Sequence, residues 1–141
     1  MTQRSQRVLG IDYGTRRIGI ALSDPLSIIA RSITTIPNDA EALTKLNQFV
    51  KEYEVRLIVV GMPYTLKGDK GEKAKEVESF VEKLRRAVTV DVVTLDERFT
   101  STIARQTVRM MGSTRKQRRQ KGKVDAMASA LILQSFLDKR K

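Results

Sequence analysis

The chain has 141 residues with no cysteine and no histidine, which excludes disulfides, thiolate catalysis, zinc–thiolate sites and an imidazole base. Hydrophobic residues make up 40% and charged residues 30%, a balance that suits one domain over residues 1–141, long enough for a single core. Twenty-seven Lys and Arg against sixteen Asp and Glu leave a net charge of +11, so the expected partner is a polyanion. Chemistry here must rest on carboxylates, Lys, Arg, Tyr, hydroxyls or a bound metal. No apolar run approaches the roughly 20 residues of a membrane helix, and Met1–Arg7 lacks the apolar centre of a secretory signal. A cytoplasmic location and no membrane partner are therefore expected.

The stretch Val8–Leu22 reads as two apolar strands joined by a tight polar turn, with Asp12 where the first strand ends. So apolar a strand is expected to be buried on both faces. A carboxylate in it is tolerable only at the strand's mouth, near solvent, a metal or a donor. Gly14 can take positive φ in the turn, while Gly10 and Gly19 leave room for a neighbouring backbone or ligand. Asp12 as a plain hairpin-turn residue is the alternative.

Asp24-Pro25 marks a second turn, and Ile28–Ile36 reads as a third strand, stopped by Pro37-Asn38-Asp39. Asn38 with Glu41 three residues later has the form of a capping box. The helix behind it sets Leu43, Leu46, Phe49, Val50 and Tyr53 on one face. Leu57–Val60 is a continuously apolar strand of the kind buried in a parallel sheet, and it runs into Gly61-Met62-Pro63 and the polar loop Lys67–Gly71. A second helix turns Ala74, Val77, Phe80, Val81 and Leu84 inward. Val90–Leu95 is the fifth strand, ending in Asp96-Glu97-Arg98. Thr100 or Ser101 then caps a third helix that stops near Gly112.

Ser113–Lys123 differs in kind: it carries Arg115, Lys116, Arg118, Arg119, Lys121 and Lys123 and no acid. Most charge runs are solvated loops, but this one joins two helices beside Asp125. The last helix is expected to begin near Val124-Asp125, with small residues that let it lie close to the sheet and with Leu131, Ile132 and Phe136 buried. Three antiparallel strands followed by two parallel ones, with helices on both faces, make a five-stranded mixed α/β sheet. Ligands gather at the carboxyl ends of parallel strands. Asp12 and Glu97 lie at or just past such ends, and Asp125 joins them if the last helix begins on the same edge.

The blocks Gly-Ile-Asp-Tyr-Gly-Thr-Arg-Arg-Ile-Gly within Val8–Leu22, Val59–Pro63, Asp96–Ser101 and Lys121–Ala126 resemble the YqgF/RuvX family in order and spacing. These are Holliday-junction-resolvase-like proteins with an RNase H-like fold, assigned to pre-16S rRNA cleavage. The resemblance implies that Asp12, Glu97 and Asp125 form a divalent-metal site for phosphodiester hydrolysis, with Asp12 central. Relatives of the wider fold usually bring a carboxylate from the fourth strand; here Gly61-Met62-Pro63 stands there, so Glu97 must reach inward instead.

Mg²⁺ or Mn²⁺ on carboxylates activates water and offsets charge without histidine. A cation also makes the clustering of three acids tolerable. Asp96 is read as a turn residue or a partner of Arg98. Arg17 and Arg98 either contact phosphate or balance the carboxylates. Nucleic acid, with pre-16S rRNA first, is the expected partner. Branched DNA, a non-catalytic RNA-binding assembly factor and a nucleotide phosphotransferase are the competing readings. Monomer and weak dimer both stay open.

Overall fold

The computed structural model describes residues 6–65, 67–100, 106 and 121–140, with the backbone alone for Phe99 and residues 121–126. The strands are β1 (Val8–Tyr13), β2 (Arg17–Ser23), β3 (Ala30–Pro37), β4 (Leu57–Met62) and β5 (Asp91–Asp96). The helices are α1 (Ala42–Glu52), α2 (Glu72–Ala87) and the C-terminal α3 (Lys121–Lys139), with a 3₁₀ turn at Glu97–Phe99. The sheet order is β3-β2-β1-β4-β5. The first three strands run antiparallel to one another, whereas β1–β4 and β4–β5 are parallel. This is the mixed sheet expected from the run of elements.

Strand alternation divides the core into two layers. Leu9, Ile11, Ile18, Ile20, Ile58 and Val60 pack beneath Leu46 and Val50 of α1 and Val77, Val81 and Leu84 of α2. On the other face Val8, Ala21, Val59 and Leu95 meet Ala130, Ile132, Leu133 and Leu137 of α3. The inward residues expected for α2 are the ones found buried: Ala74, Val77, Phe80, Val81 and Leu84. Among the described residues no helix is long and apolar enough to cross a membrane.

Four local expectations change. β3 starts at Ala30 rather than Ile28 because Asp24 takes the preceding backbone for itself. Its carboxylate accepts N–H bonds from Leu26 (3.3 Å), Ile28 (2.7 Å) and Ile29 (2.8 Å), curling that segment into a loop. Asn38 does not cap α1: the helix begins after Glu41 with no side-chain cap, and Asn38 serves the β1–β2 turn instead.

α3 is described from Lys121, so Lys121 and Lys123 are helical residues rather than the end of a basic loop. Gly122 disfavours a helix by only about 1 kcal/mol. Its buried stripe is also displaced, to Ile132, Leu133 and Leu137, leaving Leu131 partly exposed and Phe136 at the rim. Apart from Gln106, which is helical, the third helix expected over 100–112 lies beyond Thr100 and outside the described residues, as do Arg115, Lys116, Arg118 and Arg119.

Candidate active site

Asp12 is the last but one residue of β1, on the face that carries α3, in line with Val8 and Gly10. Across the antiparallel pair it stands opposite Gly19 of β2. On the parallel side Ile11 pairs with Val60, so one residue further Asp12 lies beside Gly61 of β4. Both flanking positions therefore lack side chains, and the half-buried Asp12 carboxylate sits in a notch between two glycines.

The turn beyond it is fixed by contacts the sequence does not display. Gly14 is not at positive φ; what it supplies is space, since a Cβ there would lie 2.4 Å from the Arg17 carbonyl oxygen. Asn38 pins this turn, donating from Nδ2 to the Gly14 carbonyl (2.8 Å) and from its backbone N–H to the Arg16 carbonyl (2.9 Å). Arg17 opens β2 half-buried, opposite Pro37 of β3.

Glu97 reaches the same notch from β5. A Cβ on Gly61 would lie 2.6 Å from Glu97 Oε1, 3.1 Å from its Cγ and 2.5 Å from Ile132 Cδ1. The Glu97 carboxylate thus stands where a β4 side chain would otherwise project, the inward reach expected of it. Burial pushes the Glu97 carboxyl above its ordinary value; Lys73 pulls it down and Asp96 adds to the rise.

Asp96, one residue earlier, has the opposite environment. It accepts the Arg98 backbone N–H (3.0 Å) and is gripped by the guanidinium, with Nη2 at 2.6 Å. The Arg98 guanidinium holds the Asp96 carboxyl below its ordinary value despite some desolvation. Arg98 also lies 5.7 Å over the Tyr64 ring and against Gly68, whose φ of +88° suits glycine. Of its two expected roles, balancing a carboxylate is the one these contacts display.

Asp125 lies on α3, and only its backbone is described. Gly10 of β1 approaches Ser129 and Leu133, with a Cβ there 2.6 Å from Leu133 Cβ and 3.1 Å from the Ser129 carbonyl oxygen. Val8 and Leu57, at the opposite strand ends, share a groove with Leu137 and Arg140. α3 therefore runs antiparallel to β1. Asp125 is one turn, about 6 Å, before Ser129, and Asp12 is about 6.6 Å beyond Gly10. Their backbones reach the same level of the sheet. Among the described residues no three acidic side chains converge; the Asp125 side chain is outside them.

Lys73 is the residue at this edge that the sequence did not single out. It lies in the first turn of α2, with Nζ 5.8 Å from the centroid of the Tyr13 ring, immediately after Asp12. The one signal available was its place two residues past Gly71, where α2 begins at the carboxyl edge of the sheet.

The profile of the family described as "RuvX: Holliday junction resolvase" matches residues 6–139. A protein of Salinibacter ruber named "Putative pre-16S rRNA nuclease" is 44% identical over 134 residues, covering 94% of this chain and 93% of its own. One of the same name from Sulfurihydrogenibium is 38% identical over 135 residues, covering 94% and 90%. Among solved structures, T. thermophilus RuvC in complex with a Holliday junction substrate superposes with a TM-score of 0.64 at 14% identity, covering 96% of this chain and 97% of that one. Fowlpox virus resolvase with Holliday junction DNA gives 0.55 at 12% identity, covering 96% and 99%. The fold is that of the RNase H-like resolvases, and the chain belongs to the RuvX family.

Proposed function

We propose that this protein is a metal-dependent nuclease that hydrolyses phosphodiester bonds in RNA, with the precursor of 16S rRNA as its substrate. The observation that carries this reading is the placement of the Glu97 carboxylate over Gly61, beside Asp12, at the carboxyl edge of the parallel strands. The name shared by relatives at 38–44% identity supports RNA as substrate. The cytoplasm, where ribosomal RNA is processed in bacteria, follows from that substrate.

The donor set suits a hard divalent cation, since the acids offer oxygen alone and the chain contains neither His nor Cys. Asp12, Glu97 and Asp125 would hold Mg²⁺ or Mn²⁺, and a cation beside Glu97 offsets the burial that otherwise raises its pKa. When bound, the metal supplies an activated water and neutralises charge that develops on the phosphate. In this reading Asp12 would hold the ion from the notch, Glu97 from the turn after β5, and Asp125 from α3. Arg17 and the basic residues Arg115, Lys116, Arg118, Arg119, Lys121 and Lys123 are assigned to the phosphate backbone, where contacts position without specifying sequence.

A second reading, cleavage of four-way DNA, is favoured by the fold shared with two resolvases solved in complex with their junctions. Incubating the protein with a precursor 16S rRNA fragment, duplex RNA and a four-way DNA junction, each with Mg²⁺, Mn²⁺ or EDTA, separates the two. Cleavage of the RNA fragment in metal and none in EDTA is expected. Cleavage of the junction alone would transfer the assignment to DNA, and cleavage in EDTA would remove the metal.

A further inference from the structure

Two cations stand close to Glu97, and they are engaged very differently. Arg98 is closed onto Asp96 by hydrogen bonds from Nε and Nη2, so its charge is matched within the protein. Lys73 is exposed and, among the described residues, forms no salt bridge. Lys70, three residues earlier, shows the contrast, because it is tied to Glu78 at 2.8 Å.

Lys73 is also directed. Its ammonium lies 5.8 Å over the Tyr13 ring, within cation–π range. Tyr13 is itself held by Phe80, with ring centroids 4.7 Å apart. The aromatic face draws the lysine toward the mouth of β1 instead of leaving it to sample solvent. A phosphodiester strand approaching Asp12 and Glu97 meets like charge, and a cation at that mouth offsets the repulsion.

We infer that Lys73 binds a non-bridging oxygen of a phosphate in the bound nucleic-acid strand, at the mouth of β1 beside the carboxylates. The inference rests on the nuclease reading for its choice of ligand. Its electrostatic reach to Glu97, whose carboxyl it holds down against burial, agrees with that placement. The lysine acts as a substrate contact and takes no part in bond cleavage.

The test is titration of a mixed-sequence single-stranded RNA over a salt series in EDTA, paired with kinetics in Mn²⁺. Lys73→Met should weaken binding about three- to fivefold at low salt. The log–log salt slope should become shallower by about 0.7, the value for one phosphate contact on a single strand. KM should rise while kcat at saturating RNA stays at the wild-type level, and Lys73→Arg should restore the slope. Lys75→Met, an exposed change on the same helix, should match wild type. An unchanged slope in Lys73→Met overturns the inference, as does a fall in kcat with KM intact. Wild-type protein that binds the RNA without cutting it, while Lys73→Met still flattens the slope, refutes the nuclease reading and keeps the phosphate contact.

Discussion

The two faces of the sheet are built to different rules. Under α1 and α2 the buried side chains are large and apolar, with Phe80, Met62 and the isoleucines of β1, β2 and β4 filling the space. Under α3 large residues such as Val59, Leu95 and Leu133 alternate with small ones: Gly10 and Gly61 lie beneath the helix, and Ala21, Ala30 and Ala130 join them. All four buried polar side chains among the described residues, Ser23, Ser129, Gln134 and Ser135, belong to this second side. Gln134 shows how such a group is accommodated, accepting the Ala30 N–H at 2.8 Å and donating to the Ile28 carbonyl at 3.1 Å. The first face holds the fold together by apolar burial. The second trades bulk for close approach, and the carboxylates occupy the space that its glycines leave.

If that division is real, one substitution on each face should give opposite outcomes. Asp12→Asn should cut kcat at least a thousandfold, about 4 kcal/mol, while the metal-free protein melts at or above the wild-type temperature because one repelling charge is gone. Leu46→Ala, on α1 beneath the other face, should cost about 2–5 kcal/mol of stability and leave the activity per folded molecule unchanged. Chemical denaturation and single-turnover cleavage measure both. An Asp12→Asn protein that cleaves at the wild-type rate in saturating Mn²⁺ would take Asp12 out of the mechanism. A Leu46→Ala protein that is fully stable yet inactive would erase the contrast between faces.

Gly61→Ala probes the notch with a single methyl group. Its Cβ meets Glu97 Oε1 and Ile132 Cδ1, both far ends of flexible side chains, so each yields and the stability cost is about 1 kcal/mol. Activity should suffer more, because a displacement of about 1 Å in a positioned group can cost roughly a hundredfold. Shortening the acid makes room again: Gly61→Ala with Glu97→Asp should recover part of the loss, a coupling that a double-mutant cycle reads directly. Additive losses in that cycle would mean that Glu97 and Gly61 do not share the space.

Much of this was legible in the sequence, because strand order and helix faces are encoded in local periodicity. The apolar runs of β1 and β4, and the stripe from Ala74 to Leu84 on α2, required no knowledge of their partners. Position 61 was legible in part: a glycine where a side chain was expected pointed to Glu97. What stayed hidden depends on contacts between segments distant in the chain. Asn38 looked like a cap because the Gly14 and Arg16 carbonyls, which engage it, lie over twenty residues away. Gly14 suggested positive φ, but its constraint is a carbonyl three residues on. The inward stripe of α3 moved by one position because Gly10 admits Ser129 and Leu133, and helix composition alone does not choose that register. Lys73 read as one charge among many on a solvated helix. Only the fold brings it to Tyr13.

The finest version of the contrast between faces lies in two adjacent acids. Asp96 is the last residue of β5 and caps the 3₁₀ turn, where Arg98 closes on it, whereas Glu97 opens that turn and lies over Gly61. Their folded-state pKa values move in opposite directions: burial raises Glu97, and Arg98 lowers Asp96. A raised carboxyl contributes stability that is fully present below its unfolded value of 4.5 and is lost as pH rises through the folded one. A lowered carboxyl contributes stability that is present above 3.8 and is lost as pH falls through the folded value. In EDTA at pH 7, Glu97→Gln should therefore raise the melting temperature slightly, since a buried charge is no longer required. Asp96→Asn should lower it slightly, since Arg98 loses its ionic partner. Both differences from wild type should shrink as the pH is taken down toward 3. Cleavage should divide the other way, abolished by Glu97→Gln and near wild type in Asp96→Asn. Melting shifts of the same sign at pH 7 would show that the two neighbours share one environment, and a loss of cleavage confined to Asp96→Asn would assign the site to the other acid.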